Sequence, residues 1–148
     1  MKIVLVSHNT LSAGMLAAAE MIGGMPEGVA AFGLMPEDDG EILAKKVTDW
    51  LDAGEPDDQV LIMSDLYFGS PFNAMCAMMA TRDIYHVTGM NLAMVLEAIS
   101  LKDDGLTAKE VAAQCWGNCY SDILERGVLD TLMKKAAKRH GFFHDYAR

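Results

Sequence analysis

Apolar positions along the chain follow two alternating periods. Lys2–Val6 and Val60–Met63 are apolar at nearly every position, the pattern of strands buried on both faces of a parallel sheet. Val29–Phe32 is a shorter run of the same kind, and Tyr85–Thr88 is a fourth. Helical spacing fills the intervals. Leu11, Met15, Ala18 and Ile22 share one face, closed by Gly23-Gly24. Glu41–Leu51 sets Ile42, Leu43, Val47 and Trp50 at helical intervals, behind an acidic run, Glu37-Asp38-Asp39, that caps the start. Ser70-Pro71 opens a helix through Met79, with serine as N-cap and proline at the first helical position. Asn91–Leu101 and Thr107–Leu124 complete the set, and Asp103-Asp104 ends the former. This βαβαβαβα order with short connections predicts an α/β fold. The expected form is a doubly wound three-layer sandwich, on a mainly parallel sheet of order 2-1-3-4. Residues after Gly127 read equally as helix or strand.

Composition narrows the class. At 148 residues and 51% apolar content the chain is one ordinary domain with its own core, and disorder is excluded. A net charge of −9 argues against a nucleic-acid or anionic-membrane surface. Residues 131–148 reverse the sign, with Lys134, Lys135, Lys138, Arg139 and Arg148 against Asp145 alone. Such a basic extension on an acidic body solubilises or touches a partner. Glu20, Arg82, Asp83 and Glu97 interrupt every apolar stretch before it reaches membrane-spanning length, and the run before Ser7-His8 is too short for an export signal. Three cysteines among twelve methionines read as reduced thiols, so the expected location is the cytoplasm.

In a doubly wound sheet, ligands bind beyond the carboxyl ends of the strands, where the strand order reverses. His8 ends the first strand and Asp65 follows the third. In the order 2-1-3-4 those strands are neighbours, so the two side chains emerge together. A carboxylate accepting from one imidazole nitrogen leaves the other as a free nucleophile. The loop Leu66-Tyr67-Phe68-Gly69-Ser70-Pro71 brings a helix N-terminus to the same edge, which favours an anion. Nucleophile, orienting carboxylate and anion pocket together suggest phosphoryl transfer through a phosphohistidine. A strand-end histidine is also a common structural residue, and Asp65 alone could cap a turn. Both readings stand on the residues alone.

Other candidates are weaker. Cys115 and Cys119 lie one helical turn apart without further ligands nearby, and His140 and His144 have the same spacing in the tail, so no metal site is expected. Met75, Met78 and Met79 around Cys76 read as core filler, and His86 has no visible partner. No glycine-rich nucleotide motif occurs, and no cofactor is expected.

Three segments carry a resemblance. Ser7-His8, then Asp65-Leu66-Tyr67-Phe68-Gly69-Ser70-Pro71-Phe72-Asn73, then Gly89-Met90-Asn91-Leu92-Ala93-Met94 are similar, in that order, to the IIA domain of mannose-type (mannose–fructose–sorbose) phosphotransferase systems. The similarity spans residues 1–130, leaving 131–148 as a basic C-terminal extension. It implies a phosphotransferase in which His8 accepts a phosphoryl group on Nε2 from the phosphocarrier HPr and passes it to a IIB component, which serves membrane IIC and IID proteins. It implies that Asp65 orients His8, that Gly69 and Ser70 bind phosphate, and that Asn9, Phe68, Phe72 and Asn73 shape the site or its partner surface. It also implies a homodimer with an exchanged C-terminal strand.

The chain departs from the family's usual pattern. Asn9 stands where glycine commonly follows the active histidine, and asparagine is the residue that next best tolerates φ > 0. Phe68 stands where glycine commonly precedes Gly69, implying a different loop path or a larger apolar lip. Ala93 replaces a frequent proline. Two alternatives are the phosphotransfer subunit of a dihydroxyacetone kinase-type system and a regulatory phosphoacceptor domain outside transport. Ser70-Pro71-Phe72-Asn73 favours the transporter type.

Overall fold

The computed structural model describes residues 1–54, 59–80 and 82–121, so the expectations for the tail, including His140, His144 and an exchanged strand, lie outside the described residues. Strands β1 (Lys2–His8), β2 (Val29–Leu34), β3 (Val60–Ser64) and β4 (Ile84–Thr88) alternate with α1 (Leu11–Gly23), α2 (Gly40–Asp52), α3 (Ser70–Met79) and α4 (Leu92–Leu101). Helix α5 (Ala108–Ser121) follows. All pairings are parallel and the order is β2-β1-β3-β4, the order expected from sequence. Met1–Cys115 forms one compact unit.

The central strands are where the apolar runs place them. Ile3, Val4, Leu5 and Val6 are fully buried, as are Leu61, Ile62 and Met63. Val4, Val6 and Ile62 face a cluster that includes Leu43, Val47 and Leu51 of α2 and Met75 and Met78 of α3. Ile3, Leu5, Leu61 and Met63 alternate to the other face. Strands β1, β2 and β3 run further toward the site edge than their apolar runs, because Ser7, Gly33 and Ser64 continue the ladder with small side chains. Asp39 caps α2 by accepting from the Ile42 N–H, as the acidic run predicts. Met79, expected as filler, is instead exposed, whereas Met75 and Met78 are buried.

Helix α1 corrects its expected face. Ser12 and Ala19 are buried, whereas Leu11 and Ile22 are 47% and 59% exposed. Small side chains win because the helix lies close to the sheet. The Ser12 N–H donates to Ser7 Oγ at 2.7 Å, and its hydroxyl donates to the Phe32 carbonyl at 3.1 Å. At the opposite end of β1, Lys2 is buried with its ammonium on the Leu51 carbonyl at 3.0 Å, where the α2 dipole favours a cation.

The loop leaving β1 rests on a glycine. A Cβ at Gly33 would lie 2.0 Å from the Asn9 carbonyl oxygen, and Asn9 itself holds φ at 50°. Gly33→Ala must therefore push the residue after His8 out of place. We expect a destabilisation of about 1–3 kcal/mol by urea unfolding, together with a changed His8 imidazole resonance. An unchanged resonance would show that Gly33 does not position the loop.

Candidate active site

Strands β1 and β3 pair in a register that matches Val6 with Ser64, so His8 and Asp65 leave the sheet at one edge. Asn9 turns the chain there, its N–H donating to the Leu34 carbonyl at 2.9 Å. The Asp65 Oδ2 accepts from the His8 backbone N–H at 2.8 Å and lies 2.9 Å from His8 Nδ1. Its Oδ1 accepts from the Leu66 N–H at 2.8 Å. A carboxylate only accepts, so Nδ1 carries a ring proton, and in the neutral ring the lone pair is left on Nε2. Side-chain exposure divides the two roles. Asp65 is 10% exposed and His8 is 47% exposed, so the carboxylate is sheltered and the imidazole is presented.

The loop before α3 abuts the imidazole. A Cβ at Gly69 would lie 2.7 Å from His8 Cε1 and 3.4 Å from Nε2, so only glycine lets the ring rest there. Gly69 has the extended conformation of an N-cap (φ −67°, ψ 162°). This corrects the expectation for Ser70, which lies inside the first turn with an exposed side chain. The close approach of His8 dictates the exchange, since a serine at the cap would carry a Cβ into the ring. The first helical bond runs from the Asn73 N–H to the Gly69 carbonyl at 3.0 Å. The Ser70 and Phe72 N–H groups precede it and Pro71 carries none, which leaves two donors at the positive end of α3.

The remaining expected residues flank this helix start. Asn73 donates from Nδ2 to the Phe68 carbonyl at 3.2 Å, and the Gly69 N–H donates to the Leu66 carbonyl at 3.1 Å, closing the loop. Phe68 holds φ at 60°, so the aromatic residue keeps a left-handed backbone. Tyr67, Phe68 and Phe72 meet ring to ring, Tyr67 with Phe72 at 4.8 Å between centroids. Among the described residues no group of three or more His, Cys, Asp or Glu is placed to hold a metal ion. Cys115 is buried, and partial burial pushes the Cys76 thiol up.

His86 is the residue that sequence reasoning left without a partner, and the structure supplies two. Its Nε2 lies 2.8 Å from Ser64 Oγ, one residue before Asp65, and its ring stacks on Phe72 at 4.8 Å. It therefore braces both the end of β3 and the start of α3. The signal was register: His86 pairs with Ile62 across the ladder, which sets it diagonally beside Ser64 on the same face.

Burial pushes the His86 pKa from 6.5 down to about 4. Between those values the unfolded chain binds a proton that the native state refuses. This contribution is whole above the unfolded pKa and is lost as pH falls toward the folded one. We expect about 2 kcal/mol of it to vanish between pH 7 and pH 5, and a His86→Phe variant to lack that slope in paired urea titrations. Parallel curves for the two proteins would contradict the assignment.

Known proteins resemble this chain in sequence and in fold. A family model described as PTS system fructose IIA component, EIIA-man, matches residues 2–115. The mannose-specific EIIAB component of the phosphotransferase system of Escherichia coli K12 is 30% identical over 112 residues, which is 75% of this chain and 35% of that protein. The chain thus spans about a third of the length of the curated relatives it matches. Among solved structures, the mannose/sorbose-specific IIA subunit from Enterococcus faecalis is 28% identical with a TM-score of 0.68, covering 84% of this chain and 92% of that one. The EIIA component from Streptococcus agalactiae reaches a TM-score of 0.76 at 21% identity, over 86% of this chain and 98% of that one, and shows the shared fold. No helix among the described residues is long and apolar enough to cross a membrane. With a family model covering most of its length, the chain belongs to the mannose-type IIA family of sugar phosphotransferase systems, whose members are phosphotransferase components.

Proposed function

We propose that His8 is a phosphoacceptor that takes a phosphoryl group from phospho-HPr and passes it to a IIB component. The observation that carries this reading is the pair formed by His8 Nδ1 and Asp65 Oδ2 at 2.9 Å, with Nε2 beside the N-cap of α3. In the forward step the bond between phosphorus and the donor's imidazole nitrogen breaks, and its electron pair returns to that ring. The Nε2 lone pair forms the new nitrogen–phosphorus bond. The Nδ1 proton stays on the Asp65 hydrogen bond, where the carboxylate offsets the positive charge that develops on the imidazole. The Ser70 and Phe72 N–H groups face the phosphoryl oxygens, with the Ser70 hydroxyl as a further donor. Transfer to IIB is the same step reversed, and IIB in turn serves the IIC and IID membrane proteins.

A homodimer belongs to the same reading. Among the described residues β4 pairs with β3 alone, which leaves an edge that an added strand from the C-terminal residues of a second copy would cover. Residues 1–130 are the phosphotransfer domain in this reading, and 131–148 a basic extension. Light scattering should give twice the monomer mass at tens of micromolar, an order-of-magnitude range for μM association. A monomer mass there would remove the dimer.

Phosphoenolpyruvate, enzyme I and HPr should label the chain on His8 with an acid-labile, base-stable bond. His8→Ala and His8→Gln should abolish labelling, while His140 and His144 substitutions leave it intact. Asp65→Asn keeps the acceptor but loses tautomer control and charge compensation, so the transfer rate should fall about 10²–10⁴-fold. Ser70→Ala should cost less, because the backbone donors remain. Labelling that survives His8→Ala, or an Asp65→Asn rate equal to wild type, would discard the site. Transfer onward to a IIB protein separates the transport role from a dihydroxyacetone kinase-type or regulatory one.

A further inference from the structure

Two polar side chains interrupt an otherwise apolar face of the sheet. Val60 and Ile62 of β3 and Ile84 of β4 belong to the core under α2 and α3, and the next residues on that face are Ser64 and His86. Ser64 is fully buried, and burial keeps the His86 ring neutral at pH 7. Among the described residues, the buried side-chain atoms without a hydrogen-bond partner are His86 Nδ1 and Thr88 Oγ1, both on β4. Orphaned N–H groups are rarer in protein interiors than orphaned acceptors. The single proton of the neutral ring therefore sits on Nε2, where it is donated to Ser64 Oγ at 2.8 Å.

Stability does not explain this pair. A buried acceptor without a donor is unfavourable, and two apolar side chains of similar shape would fill the same space without it. Uncompensated polarity in a native interior marks a role that packing does not supply. What the pair joins indicates that role. Ser64 is the last residue of β3, and Asp65, next along the chain, holds both the backbone and the ring of His8. The His86 ring also stacks on Phe72 at 4.8 Å between centroids, with the planes 30° apart. Phe72 is the third residue of α3, and its N–H is one of the two donors at that helix start without an intrahelical acceptor. One side chain thus touches both the neighbour of the carboxylate and a residue whose amide lies at the positive end of α3.

We propose that His86 is a positioning residue for phosphoryl transfer, which holds the Asp65 carboxylate and the first turn of α3 in a fixed relation to each other across His8. This rests on His8 as phosphoacceptor. His86 touches neither the phosphoryl group nor the reacting nitrogen. It acts on the limiting rate of transfer and not on affinity for the donor. Displacing a preorganised group weakens its hold on the charge that develops during transfer, while the surface that meets the donor stays as it was.

The test is a double variant of the full chain, Ser64→Ala with His86→Phe, which replaces both polar partners by apolar groups and keeps a ring against Phe72. Its thermal midpoint should equal or exceed that of wild type, because no polar atom of the pair is left buried and unpaired. The limiting rate of transfer from phospho-HPr should nonetheless fall about tenfold, with the half-saturating concentration unchanged within about twofold. The His8 imidazole nitrogen resonances should shift, since the carboxylate on Nδ1 has moved. His86→Gln keeps a donor at the place of Nε2 and should transfer faster than the double variant. A double variant that transfers at the wild-type rate overturns the proposal. So does a slower rate that accompanies a lowered thermal midpoint, which would make the pair a packing element. A loss confined to the half-saturating concentration overturns it as well. A wild-type chain that phospho-HPr does not label on His8 would remove the phosphoacceptor reading, and this proposal with it. A labelled wild type beside an unimpaired double variant removes this proposal alone.

Discussion

The Asp65 carboxylate accepts from three donors drawn from two adjacent strand ends, and the rest of the site is arranged around it. One oxygen holds both the backbone and the ring of His8, and the other holds the amide of Leu66. Those bonds are possible only because β1 and β3 are neighbours, with β2 on the far side of β1. The topology therefore acts directly on the chemistry. A sheet in which β1 and β3 were separated by one strand would hold the same residues about 10 Å apart, beyond any hydrogen bond. Sheltering the carboxylate while leaving half of the imidazole in solvent divides the labour further. The sheltered partner keeps its geometry, and the exposed one faces solvent.

Much of this was legible in the sequence because burial on both faces leaves a dense signature. Lys2–Val6 and Val60–Met63 could be nothing else in so short a span, and their order with the helices between them gave the sheet. His8 and Asp65 were legible for the same reason, as polar residues standing directly after apolar runs. The α1 face was not. Periodicity assigns the core to large side chains, but contact with the sheet selected Ser12 and Ala19, whose small size allows close approach; the Ser12 hydroxyl bonds the Phe32 carbonyl and its backbone N–H bonds the Ser7 hydroxyl. Ser70 was misplaced by one residue because N-cap preference is a local rule, and the cap here was decided by a ring arriving from another strand.

Two positions show how a backbone demand can be met by unusual residues. Asn9 and Phe68 both hold positive φ, at 50° and 60°. Asparagine announces that tolerance in sequence and phenylalanine does not, so the path of the second loop could only be seen in three dimensions. His86 was hidden for a related reason. Its partner, Ser64, is remote along the chain and adjacent only once β4 is in register. Polar residues inside an apolar strand pattern gain meaning from what lies diagonally across the ladder.

The polarity of β1 separates two parts of the molecule that differ in what they can tolerate. Lys2 stands at the start of the strand, tied to the end of α2, and His8 stands at its end, a span of 7 residues. At about 3.3 Å per residue that is roughly 20 Å of stiff, doubly buried strand. Material joined at the amino end thus emerges at the end of the sheet opposite the His8 imidazole. A fluorescent reporter, an immobilisation handle or a fused catalytic module placed there would leave the approach to His8 open. A parallel sheet whose chain enters at one rim and exposes its histidine at the other is, in this sense, an insulated mount for the group that it presents.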